Sequence, residues 1–140
     1  MGMTVQRSAH AVYELDYHFA WAVKYRKKVF NTAEIRTKTQ QIFKEIALQY
    51  DLIIQEIKIM PDHVHLLVSA PPRYSPARIA NILKSVSTKL IFKTFPKIKK
   101  QHFWGGELWV GGYFIRSSGP GITTAQIKHY IQNQDKPVLL

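Results

Sequence analysis

The chain has 140 residues, 46% of them hydrophobic, and carries 20 lysines and arginines against 9 aspartates and glutamates, a net charge of +11. The absence of cysteine excludes disulfides and thiolate metal sites, and no apolar run reaches the ~18 residues that a membrane span needs. We therefore expect one compact cytoplasmic domain over 1–140. Its charge favours a polyanionic partner, nucleic acid first; a solvated basic surface is the alternative.

The N-terminal half predicts a strand followed by a helix. Apolar and polar residues alternate over 10–25, which is the period of a β-strand, and a basic loop follows over 24–28. Asn31 and Glu34 resemble a capping arrangement, and apolar residues then recur at helical spacing over 33–50.

The stretch 60–69 organises the rest of the chain. A Pro-Asp turn joins an isoleucine-rich strand, 52–60, to a second strand. Because strand side chains alternate between faces, His63 and His65 share one face, close enough together to hold one metal ion. The apolar residues on the other face are Val64, Leu66 and Val68.

The C-terminal half predicts a second helix, a fourth strand and a last helix. A Ser-Pro pair at 75–76 suits a helix start, and the apolar stripe continues to residue 91. A basic loop follows over 95–101, and a strand weakened by two glycines covers 108–116. A capping box opens a final helix over 123–134.

This order of elements predicts an α+β fold of the ferredoxin-like or RRM-like type, an antiparallel sheet with two helices on one face. The apolar face of the histidine strand can receive both helices. His63 and His65 would then lie on the open face, near the C-terminal helix.

The last helix carries Tyr130 and Gln134, which are four residues apart and therefore on one helix face. Gln134 could add its carbonyl oxygen to the two imidazoles, and Tyr130 would stand beside a substrate. A tyrosine suits phosphoryl transfer as a nucleophile whose geometry the protein fixes. Taken singly, the histidines could be surface or core residues, the tyrosine a packing residue and the glutamine a solvated one.

Several short motifs, spread over nearly the whole chain, resemble one family. They are Tyr17-His18-Phe19-Ala20-Trp21, Pro61-Asp62-His63-Val64-His65-Leu66, Pro71-Pro72-Arg73-Tyr74-Ser75, Tyr113-Phe114 and Tyr130-Ile131-Gln132-Asn133-Gln134. Together they are similar to the single-tyrosine HUH transposases of small bacterial and archaeal insertion sequences, in which two histidines flank a hydrophobic residue.

The resemblance implies a role for each site residue. His63, His65 and Gln134 match the ligands of Mg²⁺ or Mn²⁺, and Tyr130 matches the nucleophile that cleaves single-stranded DNA through a 5′-phosphotyrosine. The family also implies homodimers that recognise DNA hairpins at element ends. Residues expected to contact DNA phosphates are Lys24, Arg26, Lys27, Lys28, Arg73, Lys97, Lys99 and Lys100.

Two other functions remain open from the sequence. An open sheet face with aromatic residues also describes a non-catalytic module that binds single-stranded nucleic acid. A related HUH endonuclease that acts on chromosomal repeats would use the same chemistry on a different DNA.

Overall fold

The computed structural model describes residues Gln6–Arg7, Val12–Tyr13, 15–103 and 105–117. Strands β1 (Gln6–Arg7) and β2 (Val12–Tyr13) form a small antiparallel ribbon. The remaining elements are β3 (Asp16–Ala22), α1 (Ala33–Gln49), β4 (Ile53–Met60), β5 (His63–Ser69), α2 (Pro76–Thr94), α3 (Pro96–His102) and β6 (Phe114–Ser117). Strands β3 to β6 make an antiparallel sheet in the order β4-β5-β3-β6, which confirms the predicted α+β fold.

One face of the sheet forms the hydrophobic core. Alternate residues of β3 and β5, such as Phe19 and Val64, are fully buried there against the apolar stripes of α1 and α2. The Trp21 ring packs edge-on against Phe43 and Trp109, with ring centroids 6.1 Å and 5.8 Å apart. Burial of these large side chains on one face fixes the register, because a shift of one residue would turn them to the other face.

The structure corrects the bounds of the first and fourth strands. The strand predicted over 10–25 is divided, and its sheet portion ends at Ala22, before a 3₁₀ turn. The strand predicted over 108–116 is reduced to an isolated bridge between Val23 and Trp109, followed by β6. Glycine weakens a strand, and the carbonyls of Val110 and Gly112 accept hydrogen bonds from a lysine.

Two further local predictions were wrong. Residues 95–101, predicted as a loop, lie largely within α3, which starts at Pro96 and buries Ile98 as its single apolar anchor. Helix α1 is capped by Thr32, whose side-chain oxygen accepts from the Ile35 amide at 3.2 Å, rather than by Asn31.

The predicted last helix over 123–134 lies outside the described residues, as do Tyr130 and Gln134. Within the described part of the chain, no helix is both long and apolar enough to cross a membrane.

Candidate metal and DNA-cleavage site

The two histidines of β5 lie on the sheet face opposite the core. Val64, which lies between them in the sequence, is fully buried on the core face, whereas both imidazoles are partly exposed. The antiparallel register sets His63 opposite Ala22 and His65 opposite Ala20. Both alanines are fully buried, and Val110 and Phe114 pack against them.

Asp62 fixes one ring nitrogen of His63. The Nδ1 atom lies 2.8 Å from Asp62 Oδ1, and both side chains are 17% exposed. An ionised carboxylate only accepts hydrogen bonds, so Nδ1–H is the donor. In a neutral imidazole this leaves the lone pair on Nε2, which is the atom that can bind a metal ion.

Arg26 holds the other carboxylate oxygen of Asp62. Its Nε donates to Oδ2 at 3.0 Å, and Nη2 lies 2.9 Å from the same atom. Burial raises the pKa of Asp62, but the hydrogen bond from His63 and the charge of Arg26 outweigh it, so the pKa falls below its ordinary value. Asp62 is therefore a carboxylate at neutral pH.

The surroundings of His65 favour its neutral form. Burial lowers its pKa first, and the positive charges of His63, Lys58 and His18 lower it further, against an opposing effect of Glu56. A neutral imidazole keeps a nitrogen lone pair, which is the form that coordinates metals.

These two imidazoles fit a divalent metal but do not complete its coordination. Among the residues that the structure describes, no three His, Cys, Asp or Glu side chains are placed to share one ion. Any further protein ligand would be another residue type or lie outside the described residues, as Gln134 does. Imidazole nitrogen favours transition-metal ions, whereas an amide oxygen also suits Mn²⁺ and Mg²⁺.

The predicted DNA-contacting cations fall into two groups. Three are paired with carboxylates: Lys24 with Glu107 and Arg73 with Asp51, both at 3.0 Å, and Arg26 with Asp62. The other five are exposed and have no carboxylate partner among the described residues: Lys27, Lys28, Lys97, Lys99 and Lys100. The structure thus leaves the second group open to phosphates.

The family is decided by a match over almost the whole chain. The model of the family described as "Transposase IS200 like" matches residues 11–134. The chain belongs to the IS200-like transposases. The predicted resemblance is thereby confirmed at the level of the family, and a role in processing DNA follows from membership.

Individual relatives of this IS200-like transposase agree. The ISDra2 transposase TnpA of Deinococcus radiodurans is 39% identical over 123 residues, which cover 88% of this chain and 86% of the relative. The transposase of insertion sequence IS200 from Salmonella typhimurium is 29% identical over 126 residues, covering 90% and 80%.

Solved structures share the fold. A crystal structure of a candidate transposase from Deinococcus radiodurans superposes with a TM-score of 0.82 at 37% identity, covering 92% of this chain and 97% of that one. A REP-associated tyrosine transposase bound to a REP hairpin gives a TM-score of 0.51 at 12% identity, covering 90% and 67%.

Sequence reasoning missed two features of this transposase. From the sequence, Asp62 is only a turn residue and Arg26 only a candidate DNA contact. The adjacency of Asp62 and His63 in the sequence could have suggested that these two side chains pair. The second feature is Lys84 of α2, which the sequence does not distinguish from the other lysines of that helix. Its Nζ donates to the carbonyls of Val110 and Gly112, at 2.7 Å and 3.1 Å, beside a cavity of about 470 Å³.

Proposed function

We propose that this transposase cleaves and rejoins single-stranded DNA through a covalent bond to Tyr130. The observation that carries the proposal is the pair of imidazoles on the open sheet face, one of them oriented by a carboxylate, in an IS200-like transposase. Tyr130 and Gln134 are included in the proposed site because they are four residues apart in the sequence, the spacing of one helix face.

The proposed cleavage step is a transesterification. The phenol oxygen of Tyr130 forms a bond to phosphorus as its proton is lost, and the bond from phosphorus to the 3′ oxygen breaks. That oxygen takes up a proton, which gives a free 3′-OH and a 5′-phosphotyrosine. Rejoining is the reverse attack by a 3′-OH, so the reaction needs no nucleotide cofactor.

Mg²⁺ or Mn²⁺, held by His63, His65 and Gln134, would polarise the scissile phosphate and neutralise its developing charge. The chain's own contribution is to present the two imidazole nitrogens on a rigid strand, with His63 held by Asp62. The depressed pKa of His65 supports this role, since protons compete with a metal for the same nitrogen.

We propose hairpins at the ends of an insertion sequence as the DNA target, and a homodimer as the active assembly. The REP-associated relative is bound to a REP hairpin, and the curated relatives belong to insertion sequences. The net charge of +11 and the exposed lysines of α3 support a contact with a phosphate backbone.

The test uses purified protein with labelled single-stranded oligonucleotides that cover both flanks of its own gene. We expect a denaturing gel to show a Mn²⁺-dependent covalent adduct with the wild-type protein and none with Tyr130→Phe. Tyr25→Phe is the matched control, because it removes the same hydroxyl from a surface tyrosine that is 70% exposed.

A normal adduct in Tyr130→Phe would refute the assignment of the nucleophile. If no flank gives an adduct although the wild-type protein binds the same DNA tightly, the cleavage proposal fails. That result would favour the non-catalytic binding module instead.

A further inference from the structure

Arg26, Asp62 and His63 form a continuous chain of contacts that ends at the histidine strand. Nε and Nη2 of Arg26 lie 3.0 Å and 2.9 Å from Asp62 Oδ2. Asp62 Oδ1 lies 2.8 Å from His63 Nδ1. The three side chains are only 17–21% exposed, so water competes little for these contacts. Each oxygen of the carboxylate thus has a separate partner.

The backbone on both sides of Arg26 is tied to the same turn. The amide of Val23 donates to the carbonyl of Asp62 at 2.9 Å, and the amide of Phe30 donates to that of Pro61 at 3.1 Å. Both ends of the segment that contains Arg26 are therefore held at this turn.

Between these two anchors the chain adopts an unusual conformation. Tyr25 and Arg26 have φ angles of 61° and 52°, two consecutive non-glycine residues in the left-handed region. Such a conformation is unfavourable for L-residues and persists where surrounding contacts hold it. Here it brings the Arg26 guanidinium to the Asp62 carboxylate, which a merely solvated arginine would not require.

We propose that Arg26 and Asp62 are positioning residues that fix the ring orientation and tautomer of His63. Asp62 holds the proton on Nδ1, and Arg26 holds Asp62 in place, so that Nε2 stays free for a divalent metal. Carboxylates and their partners behind a ligand histidine commonly tune metal affinity in this way. This inference rests on the proposed function for the metal, but the tautomer of His63 can be measured without it.

A second arginine–aspartate pair in the same protein supplies matched controls. Arg73 and Asp51 also lie 3.0 Å apart, but they are exposed and far from His63 in the chain. Asp62→Asn is compared with Asp51→Asn, and Arg26→Gln with Arg73→Gln. Each comparison removes the same charge from a pair that is linked to His63 through Asp62 and from a pair that is not.

The first measurement is long-range ¹H–¹⁵N NMR of His63 in the metal-free protein, about two pH units above the ordinary histidine pKa of ~6.5. We expect wild type and both control variants to carry the proton on Nδ1. In Asp62→Asn, the asparagine can also donate, so we expect a shift towards Nε2–H. An unchanged tautomer in Asp62→Asn would overturn the proposal.

The second measurement is Mn²⁺ affinity by calorimetry, with DNA absent. We expect roughly 10–100-fold weaker binding for Asp62→Asn and a smaller loss for Arg26→Gln, as is usual for residues behind a metal ligand. Arg26→Lys should restore part of the affinity, and the controls should match wild type. Equal affinities in all variants would contradict the proposed positioning role.

The two measurements distinguish failure of the proposed metal site from failure of the proposed positioning role. If His63→Ala binds Mn²⁺ as well as wild type does, the metal proposal fails, while the tautomer result still decides whether Asp62 fixes the ring. If Arg26→Gln loses affinity for DNA but keeps both the tautomer and the Mn²⁺ affinity of wild type, Arg26 is a phosphate contact instead. All variants are first compared with wild type by thermal unfolding.

Discussion

Lys84 gives a sharp prediction about stability, because it is a cation held in a partly buried place. Burial lowers its pKa from 10.5 to about 8. The unfolded chain therefore binds more protons than the folded chain between pH 8 and 10.5, and the free energy of unfolding rises with pH in that window. Below pH 8 the full penalty for burying the charge is present.

The magnitude follows from the shift. At 1.36 kcal/mol per pH unit, the change in pKa of Lys84 corresponds to about 3 kcal/mol in a dry site. The side chain is partly open to solvent, which screens the effect, so we expect about 1 kcal/mol. The hydrogen bonds to the carbonyls of Val110 and Gly112 favour the charged form of Lys84. Like solvent screening, they therefore reduce the energetic penalty of burying the charge.

The assay is urea unfolding at several values between pH 7 and 10, for wild type, Lys84→Met and Lys89→Met. Methionine keeps an unbranched apolar chain but has no charge. Exposed Lys89, on the same helix and the same cavity, is the matched control. The difference between wild type and Lys84→Met should change by about 1 kcal/mol across the window, and Lys89→Met should run parallel to wild type. Parallel curves for all three would refute the reasoning.

Two further predictions concern a helix cap and the basic surface. Thr32→Ala should lower the free energy of unfolding by about 1 kcal/mol, because it removes the cap of α1, while Asn31→Ala should change it little; urea unfolding of both variants checks this. Replacing Lys97, Lys99 and Lys100 together with glutamine should reduce the salt dependence of single-stranded DNA binding, by up to ~0.7 in the log–log slope per lost phosphate contact. An unchanged slope, measured by fluorescence titration from low to high salt, would remove α3 from the DNA-binding surface.

The order and type of the sheet elements followed from the sequence because each is strongly periodic. Val64, Leu66 and Val68 occupy alternate positions, and all three are buried as that period requires; Leu67 and Ser69 on the other face are buried as well. Helix α1 covers Ala33–Gln49 and ends one residue before its predicted end, with its buried residues recurring at helical spacing between 39 and 47. Periodicity is a property of the chain itself, so it needs no knowledge of neighbouring elements.

The missed features depend on contacts between distant parts of the chain. Helix α3 buries only Ile98, and a helix with one apolar anchor has no stripe to detect. The strand predicted before β6 is interrupted at Val110, because its carbonyl accepts a hydrogen bond from Lys84, which lies 26 residues earlier in the chain. Arg26 and Asp62 are 36 residues apart in the sequence, so no local pattern predicts their contact. The basic residues around Arg26 predict only a DNA contact.

The segment 23–30 links the histidine turn to the exposed lysines. In its middle Arg26 contacts Asp62, and at its end the Phe30 amide donates to the carbonyl of Pro61. Lys28 of the same segment lines a cavity of about 410 Å³ together with Lys97 of α3. The cations of this segment therefore differ in their contacts: Arg26 and Lys24 pair with Asp62 and Glu107, whereas Lys27 and Lys28 have no carboxylate partner among the described residues. We expect a DNA backbone held by Lys28 and α3 to run beside that turn, so loss of these lysines should weaken DNA binding without changing the affinity for Mn²⁺.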